Sequence, residues 1–276
     1  MGLRIGTNTQ SIAAQRDLGI THAAQQSSLE KVASGTRINR AADDAAGLAI
    51  SEKMRANIRS IRQGVRNAND GVSMVQTAEG GMNEIGNILI RMRELSIQGA
   101  SDTIGDNERG FIDKEVQQLK AEVDRNAMST EFNGRKLLNG SGEKLDVQIG
   151  LHNNPEQDRF TIDTSKLNVT SNALGIGSIS VADRTGAQEN LDKLDTAIST
   201  LSGNRAEIGA LQNRLQSSIN SMNIYDENLS AARSRIYDVD MASETAELTK
   251  QNILSQAGVS VLSQANQNNM LALKLI

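Results

Sequence analysis

Residues 187–236 read AQENLDKLDTAISTLSGNRAEIGALQNRLQSSINSMNIYDENLSAARSRI, and Leu194, Leu201, Ile208, Leu215, Met222, Leu229 and Ile236 recur in them at a strict interval of seven. Leu191, Ile198 and Ile219 fill alternate positions of the same seam, which Arg205, Gln212, Asp226 and Arg233 interrupt. A sustained seven-residue repeat keeps one apolar stripe facing its partner and winds helices into a left-handed coil. The stretch predicts a rod-like helix roughly 75 Å long at the helical rise per residue. Polar seam positions argue against a simple two-stranded zipper. They fit a seam with several partners, or one that meets another subunit.

A second register runs Ile50, Met54, Asn57, Ile61, Gly64, Ala68, Gly71, Val75, Ala78, Met82, Ile85, Leu89 and Met92. It crosses the local turn signal Asn69-Asp70-Gly71 without a slip, which predicts one helix over about 43–98. Each glycine costs such a helix about 1 kcal/mol relative to alanine. Gly64 and Gly71 fall on the seam, where they permit close backbone approach. A third pattern, Ile112, Val116, Leu119, Val123 and Ala127, follows a polar turn at 101–107. Three helices of matching period with short connections form a bundle. Between 139 and 182 the period changes: Leu145, Val147 and Ile149 alternate, then Phe160 and Ile162, which predicts a β-hairpin around a loop at 150–158. Residues 169–181 predict a further short strand pair. The fold class is mainly α, a long coiled-coil-like helical rod, 41–236, with a small β-hairpin insert at about 140–182.

Composition supports an elongated helical chain. Of 276 residues, two are Tyr, three Phe, one Pro and none Trp or Cys. Few aromatics make a thin aliphatic core, and scarcity of proline permits long helices. Without Cys there are no disulfides, thiolate metal sites or Cys nucleophiles. His22 and His152, far apart, are a poor basis for metal binding or His-dependent catalysis, so no cofactor, metal or enzymatic activity is expected. No apolar run approaches the ~18–20 residues of a membrane span, so no membrane insertion is expected. Met1-Gly2-Leu3-Arg4-Ile5-Gly6 carries no hydrophobic signal-peptide stretch.

The two ends differ from the bundle. Residues 1–35 and 237–276 are rich in Gln, Asn, Ser and Ala, with a thin apolar stripe that includes Ile5, Ile12, Leu254, Val261 and Leu262. Such helices bury too little surface alone to offset about 1–2 kcal/mol of backbone entropy per residue. They need partners. Those five residues are the expected assembly contacts.

Several stretches resemble one family in fixed order. Ser34-Gly35-Thr36-Arg37-Ile38-Asn39 and Asp43-Asp44-Ala45-Ala46-Gly47-Leu48-Ala49-Ile50 resemble the N-terminal signature of bacterial flagellins. Arg66-Asn67-Ala68-Asn69-Asp70-Gly71, Gln76-Thr77-Ala78-Glu79-Gly80, Arg93-Glu94-Leu95-Ser96-Ile97-Gln98 and Phe132-Asn133-Gly134-Arg135-Lys136-Leu137-Leu138 continue it. Ile208-Gly209-Ala210-Leu211-Gln212-Asn213-Arg214 and Ser234-Arg235-Ile236-Tyr237-Asp238-Val239-Asp240 match the C-terminal half. Arg4 and Gly6 at one end, and Leu273-Lys274-Leu275-Ile276 at the other, depart from the family's usual ends.

The resemblance implies paired terminal helices, 1–40 with 237–276, as an inner-core domain, and a solvent-facing variable insert reduced here to hairpins. It implies a structural subunit that polymerises, with itself and other flagellins, into an extracellular flagellar filament for swimming motility. It further implies export without a cleaved signal, an export chaperone on the C-terminal segment, and filament cap and junction proteins as partners. A hook–filament junction protein is the alternative within the class. A secreted ligand of the host innate-immune flagellin receptor is the alternative outside it, with Arg91, Leu95 and Glu115 matching the receptor-binding face. By the same resemblance Ser165, Thr170 and Ser171 are candidate sugar-bearing residues.

Two local signals have plainer explanations. Arg55, Arg59, Arg62 and Arg66 form a basic stripe on one helix face. The net charge of −4 and the lack of interleaved aromatics count against nucleic acid as its partner. A solvated face or an intersubunit contact with acidic segments such as Asp226-Glu227 or 238–240 accounts for it. Asp43-Asp44 opens a helix, where carboxylates cap free N–H groups.

Overall fold

The computed structural model describes residues 7–273, with side chains through residue 267. Its elements are α1 (Thr9–Ser34), α2 (Ala45–Gly99), α3 (Asp106–Ser129), β1 (Glu131–Phe132), β2 (Arg135–Lys136), β3 (Lys144–Gln148), α4 (Pro155–Asp158), β4 (Arg159–Asp163), α5 (Arg184–Tyr237) and α6 (Met241–Leu273). The chain packs as two units. One comprises the described residues up to Ala56 together with those from Asn228, the other Asn57–Glu227.

The larger unit is a three-helix bundle whose core follows the predicted registers. On α2, Ile61, Ala68, Val75, Ala78, Met82, Ile85, Leu89 and Met92 are buried. Val116, Val123 and Ala127 of α3 and Leu194, Leu201, Ile208 and Leu215 of α5 meet them. The helix runs unbroken through 69–71, as the unslipped register requires. Ile50, which opens that register, is 48% exposed. The seam is closed only from Ile61 onward. In α5 burial fades beyond Ile219, and Met222 is half-buried. Polar seam residues of α5 find partners across the bundle, with Asp226 2.9 Å from Arg62 and Arg205 4.0 Å from Glu79.

Thr130, just after α3, lies against Gly81 of α2, so the third helix covers only part of α2. The β3–β4 hairpin continues the cover. Its strands pair antiparallel with Leu145 opposite Ile162 and Val147 opposite Phe160. Val147, Ile149 and Phe160 pack with Ala68, Ile219 and Met222, and Arg214 lies 4.8 Å over the Phe160 ring. One face of the insert is therefore core.

Residues 164–182 form no strand pair. Leu167, Val169, Leu174, Ile176, Ile179 and Val181 are buried, as an alternating pattern implies. Their backbone, however, is folded in turns, as where Leu174 N–H donates to the Thr170 carbonyl and Ile176 N–H to that of Ser171. Further groups bond to polar side chains of α3 rather than to a second strand. Asp124 accepts from Ser171 N–H at 2.8 Å and Asp113 from Val181 N–H at 2.8 Å. Gln117 donates to the Ile179 carbonyl at 2.9 Å, and Lys120 to that of Gly177 at 3.1 Å. Buried backbone groups need partners, and one helix face at 113, 117, 120 and 124 supplies them. A strand pair occurs instead at β1–β2, around a two-residue turn in which Asn133 has φ 49° and Gly134 φ 77°. Positive φ at both central residues is the type I′ geometry that Asn-Gly favours.

Glycines of the α2 seam serve unlike roles. A Cβ at Gly64 would sit 2.3 Å from the Ile149 carbonyl oxygen, so the hairpin backbone requires glycine there. A Cβ at Gly71 would meet Val147 and Leu215 at ordinary contact distances of 3.5 and 3.6 Å. Gly64→Ala is expected to destabilise the bundle by about 1–3 kcal/mol through overpacking. Gly71→Ala should stabilise it by about 0.5–1 kcal/mol through helix propensity. Urea denaturation of both variants checks the contrast, and equal effects would mean that the hairpin does not ride on Gly64.

Candidate functional site

In the smaller unit, α1 and α6 run antiparallel as the paired terminal helices. The residues between them are small or polar for the most part, with Leu18 and Ala265 among them. Ser11 Oγ donates to Asn266 Oδ1 at 3.0 Å, Gln25 Nε2 to Asn252 Oδ1 at 2.6 Å, and Asn8 Nδ2 to the Ala265 carbonyl at 3.0 Å. Ser11 and Ser28 are the buried residues of α1, and Ala265 is buried on α6. Gly258 lets Leu18 approach, a Cβ there lying 3.1 Å from Leu18 Cδ1. Ser11, Leu18 and Gln25 lie seven apart, so the seam keeps helical period while its composition hides it from a hydrophobicity reading.

Several large apolar side chains point outward. Ile12 is 58% exposed, Ile20 62%, Ile253 61%, Leu254 45% and Val261 58%. Leu262 is half-buried, and Ile5 lies outside the described residues. Fully burying one such side chain is worth about 1.5–3 kcal/mol. With Leu29 and Val259 also over half exposed, the pair presents an apolar surface that one subunit leaves in water.

Three caps and one arginine hold the pair to its connecting segments. Asn8 caps α1 by accepting from Ser11 N–H, and Gly35 ends it in the left-handed conformation with φ 71°. Asp240 caps α6 through Ala242 N–H at 3.0 Å. Thr36 and Asp238 form an antiparallel bridge. Arg37 donates to the Ile236 carbonyl from Nη2 at 2.6 Å and from Nε at 3.1 Å, placing a cation at the C-terminus of α5. The same Nη2 also reaches Asp44 Oδ2, 3.5 Å away, while Asp44 Oδ1 accepts from Gly47 N–H at 2.8 Å and caps α2. Asp43 instead accepts from the N–H groups of Arg40 and Asn39, which hold its carboxyl below the usual range. Of the acidic pair, Asp44 caps the helix and Asp43 closes the turn before it.

The predicted recognition residues separate. Arg91 donates to Glu115 from Nη2 at 2.9 Å and to Glu94 at 3.2 Å, and both partners raise its pKa, Glu115 foremost. Leu95 lies beneath, only 2% exposed in the core. Neighbouring Arg93 pairs with Asp195 at 2.6 Å, lowering that carboxyl. On the basic stripe, Arg55 pairs with Glu52, Arg62 with Asp226, and Arg66 with the Gln63 amide. Of the candidate sugar-bearing residues, Ser171 is buried against Asp124, Thr170 is half-buried, and Ser165 is exposed beside Asp163. No cluster of His, Cys, Asp and Glu suited to a metal occurs among the described residues, nor a helix apolar enough to cross a membrane. Sequence reasoning missed the buried Arg109, which donates to the Gly99 and Ser101 carbonyls at 2.9 and 3.0 Å and closes the end of α2.

Residues 5–143 match the bacterial flagellin N-terminal helical region, and residues 191–275 the bacterial flagellin C-terminal helical region. The chain is 41% identical over 272 residues to a flagellin of Halalkalibacterium halodurans, covering 99% of each. It is 40% identical over 308 residues to a flagellin of Bacillus subtilis, covering 99% of this chain and all of that one. A crystal structure of Bacillus cereus flagellin matches 57% of this chain and 88% of its own at 32% identity and a TM-score of 0.51. A putative flagellar hook-associated protein from Vibrio parahaemolyticus shares the fold, TM-score 0.59, at 14% identity, over 71% of this chain and all of that one. The chain belongs to the bacterial flagellin family. Its function is that of a structural subunit of the flagellar filament, polymerising with itself.

Leu95→Ala is expected to cost about 2–5 kcal/mol of bundle stability as a buried truncation, whereas Arg91→Ala, which removes a solvent-screened surface ion pair, should leave the melting temperature nearly unchanged. Thermal melting of the two distinguishes a core leucine from a surface ion pair. The lowered carboxyls of Asp43, Asp195 and Glu122 set an acid limit. A group whose pKa is lower folded than unfolded stabilises the fold above its unfolded value, and that contribution is lost as pH falls through the folded one. Melting temperature should hold from neutral pH to the upper carboxylate range and fall below about pH 4. Asp195→Asn with Glu122→Gln should flatten that decline.

Proposed function

We propose that the outward apolar face of the α1–α6 pair is the contact by which subunits polymerise, with Ile12, Leu254, Val261 and Leu262 buried between neighbours. The single observation that carries this is the inversion within the pair: Ser11, Gln25, Asn252 and Asn266 bond across the inside, while Ile12, Ile20, Ile253 and Val261 lie outside. In this reading residues 1–40 and 237–276, Ile5 among them, form the inner-core domain of the filament, and 41–236 the rod outside it. The contacts are head-to-tail and lateral, joining unlike surfaces, and so propagate a helix rather than close a ring. Burying the exposed faces offers on the order of 5–10 kcal/mol gross per subunit.

The finer parts of the reading follow the family. The subunit is exported without a cleaved signal and resides outside the cell, with an export chaperone on residues 250–276 beforehand. Cap and junction proteins, and other flagellins, join the same terminal helices. The Arg91–Glu115 surface serves a host innate-immune receptor, with Leu95 supporting that surface from within. The protein catalyses nothing. Full-length identity to flagellins favours the filament subunit over the junction protein.

Deleting residues 250–276 should leave the bundle folded by circular dichroism and abolish sedimentable polymer. Ile12→Asp with Val261→Asp, which spares the polar seam, should raise the critical concentration for polymer at least about tenfold. Normal filaments from either variant, seen by electron microscopy, would move the assembly contacts elsewhere.

A further inference from the structure

Arg59, Arg62 and Arg66 lie on the face of α2 opposite its buried seam residues Ile61, Gly64 and Ala68. Arg62 is satisfied by Asp226, Arg66 has only the neutral Gln63 amide, and Arg59 has no ion pair among the described residues. Asp70, one turn past Arg66, is the carboxylate on the same face, so the stripe stays positive. The opposite charge gathers at the far end of the same unit. There α2, α3 and α5 converge: Gly99 abuts Val181 and Ala187, and Arg109 grips the Gly99 and Ser101 carbonyls. Asp102 and Asp106 are neutralised locally by Arg184 and Arg109. Glu108, Asp183, Glu189 and Asp192 remain exposed, without ion pairs among the described residues.

We propose that the Arg59–Arg62–Arg66 face of α2 docks the carboxylate-rich end of a second copy of this chain, formed by Glu108, Asp183, Glu189 and Asp192. Charge complementarity selects the occupant, and geometry excludes a contact within one chain. The acidic end sits level with Gly99 and the stripe with Arg62, a separation of about 55 Å along the helix. Because the two patches differ, each copy offers one end and receives the other, a contact that propagates without closing. The same separation sets the expected axial step between successive subunits. Unpaired charges facing opposite ones also steer encounter and fix register. This rests on the filament reading and assigns it a second contact, independent of the terminal helices.

The test uses the full-length chain. Arg59→Glu with Arg66→Glu should raise the critical concentration for polymer by about tenfold or more, with the monomer melt unchanged. Adding Glu108→Lys and Glu189→Lys to that chain should restore assembly to near the original level. Should the reversal disturb folding, Arg59→Gln with Arg66→Gln supplies the milder comparison. Separately, the cysteine-free chain carrying Arg59→Cys and Glu189→Cys is polymerised and treated with a short bis-maleimide. A ladder of linked subunits is expected, and none from Gln76→Cys with Glu189→Cys. Filaments that form normally after charge reversal, fail to recover with the swap, or give no ladder overturn this contact while leaving assembly intact. Absence of filaments from the unaltered chain would instead overturn the filament reading on which it rests.

Discussion

Leu194, Leu201, Ile208 and Leu215 return to one side of α5 every seventh residue, and the rest of the larger unit is placed by what that seam meets on α2. α3 closes one stretch of it and ends where Thr130 lies against Gly81. Beyond that point the seam would be open to water, and the β3–β4 hairpin covers it by setting the Ile149 carbonyl where a side chain at Gly64 would stand. Two elements of unlike geometry thus share one helical seam. The substitution is steric: the hairpin backbone comes this close to a helix only where the helix surface is low, and Gly64, Ala68 and Gly71 make it so.

That dependence explains which features were legible in the sequence. Periods of seven and two are properties of side chains, and α2, α3, α5 and the hairpin emerge from them directly. Residues 164–182 carry an equally clear alternation yet form no strands, because alternation reports which side chains are buried, not what the backbone bonds to. Their partners are Asp113, Gln117, Lys120 and Asp124, polar residues whose regular spacing on α3 reads as an ordinary solvent face. Leu95 is a similar case. Its neighbour Arg91 is a surface residue, but one turn of helix carries Leu95 into the core. Sequence proximity to an exposed motif does not make a residue exposed.

The terminal pair inverts the usual order of a helix interface. In most amphipathic pairs the apolar stripes face each other and polar groups face water. Here Ser11, Gln25, Asn252 and Asn266 meet across the seam, and Ile12, Ile20, Leu254 and Val261 look out. Exchanging water for intramolecular hydrogen bonds yields only about 0.5–1.5 kcal/mol per bond. A seam of that kind specifies register and antiparallel sense more than it supplies stability. It also explains the weak amphipathic signal at both ends, since the stripe being sought faces away from the partner helix.

An exposed apolar face of this extent is costly for a subunit that remains alone and favourable for one that assembles. The two units divide that demand. The larger has a continuous apolar core of its own, from Met74 to Leu215. Among its described residues the smaller fully buries Ile38 and little else of large apolar size. In the proposed filament its remaining stabilisation comes by mass action, growing with the concentration of copies able to cover it. Burial of the smaller unit's outward face is there linked to polymerisation, and the residues that one subunit leaves in water are those that hold neighbours together.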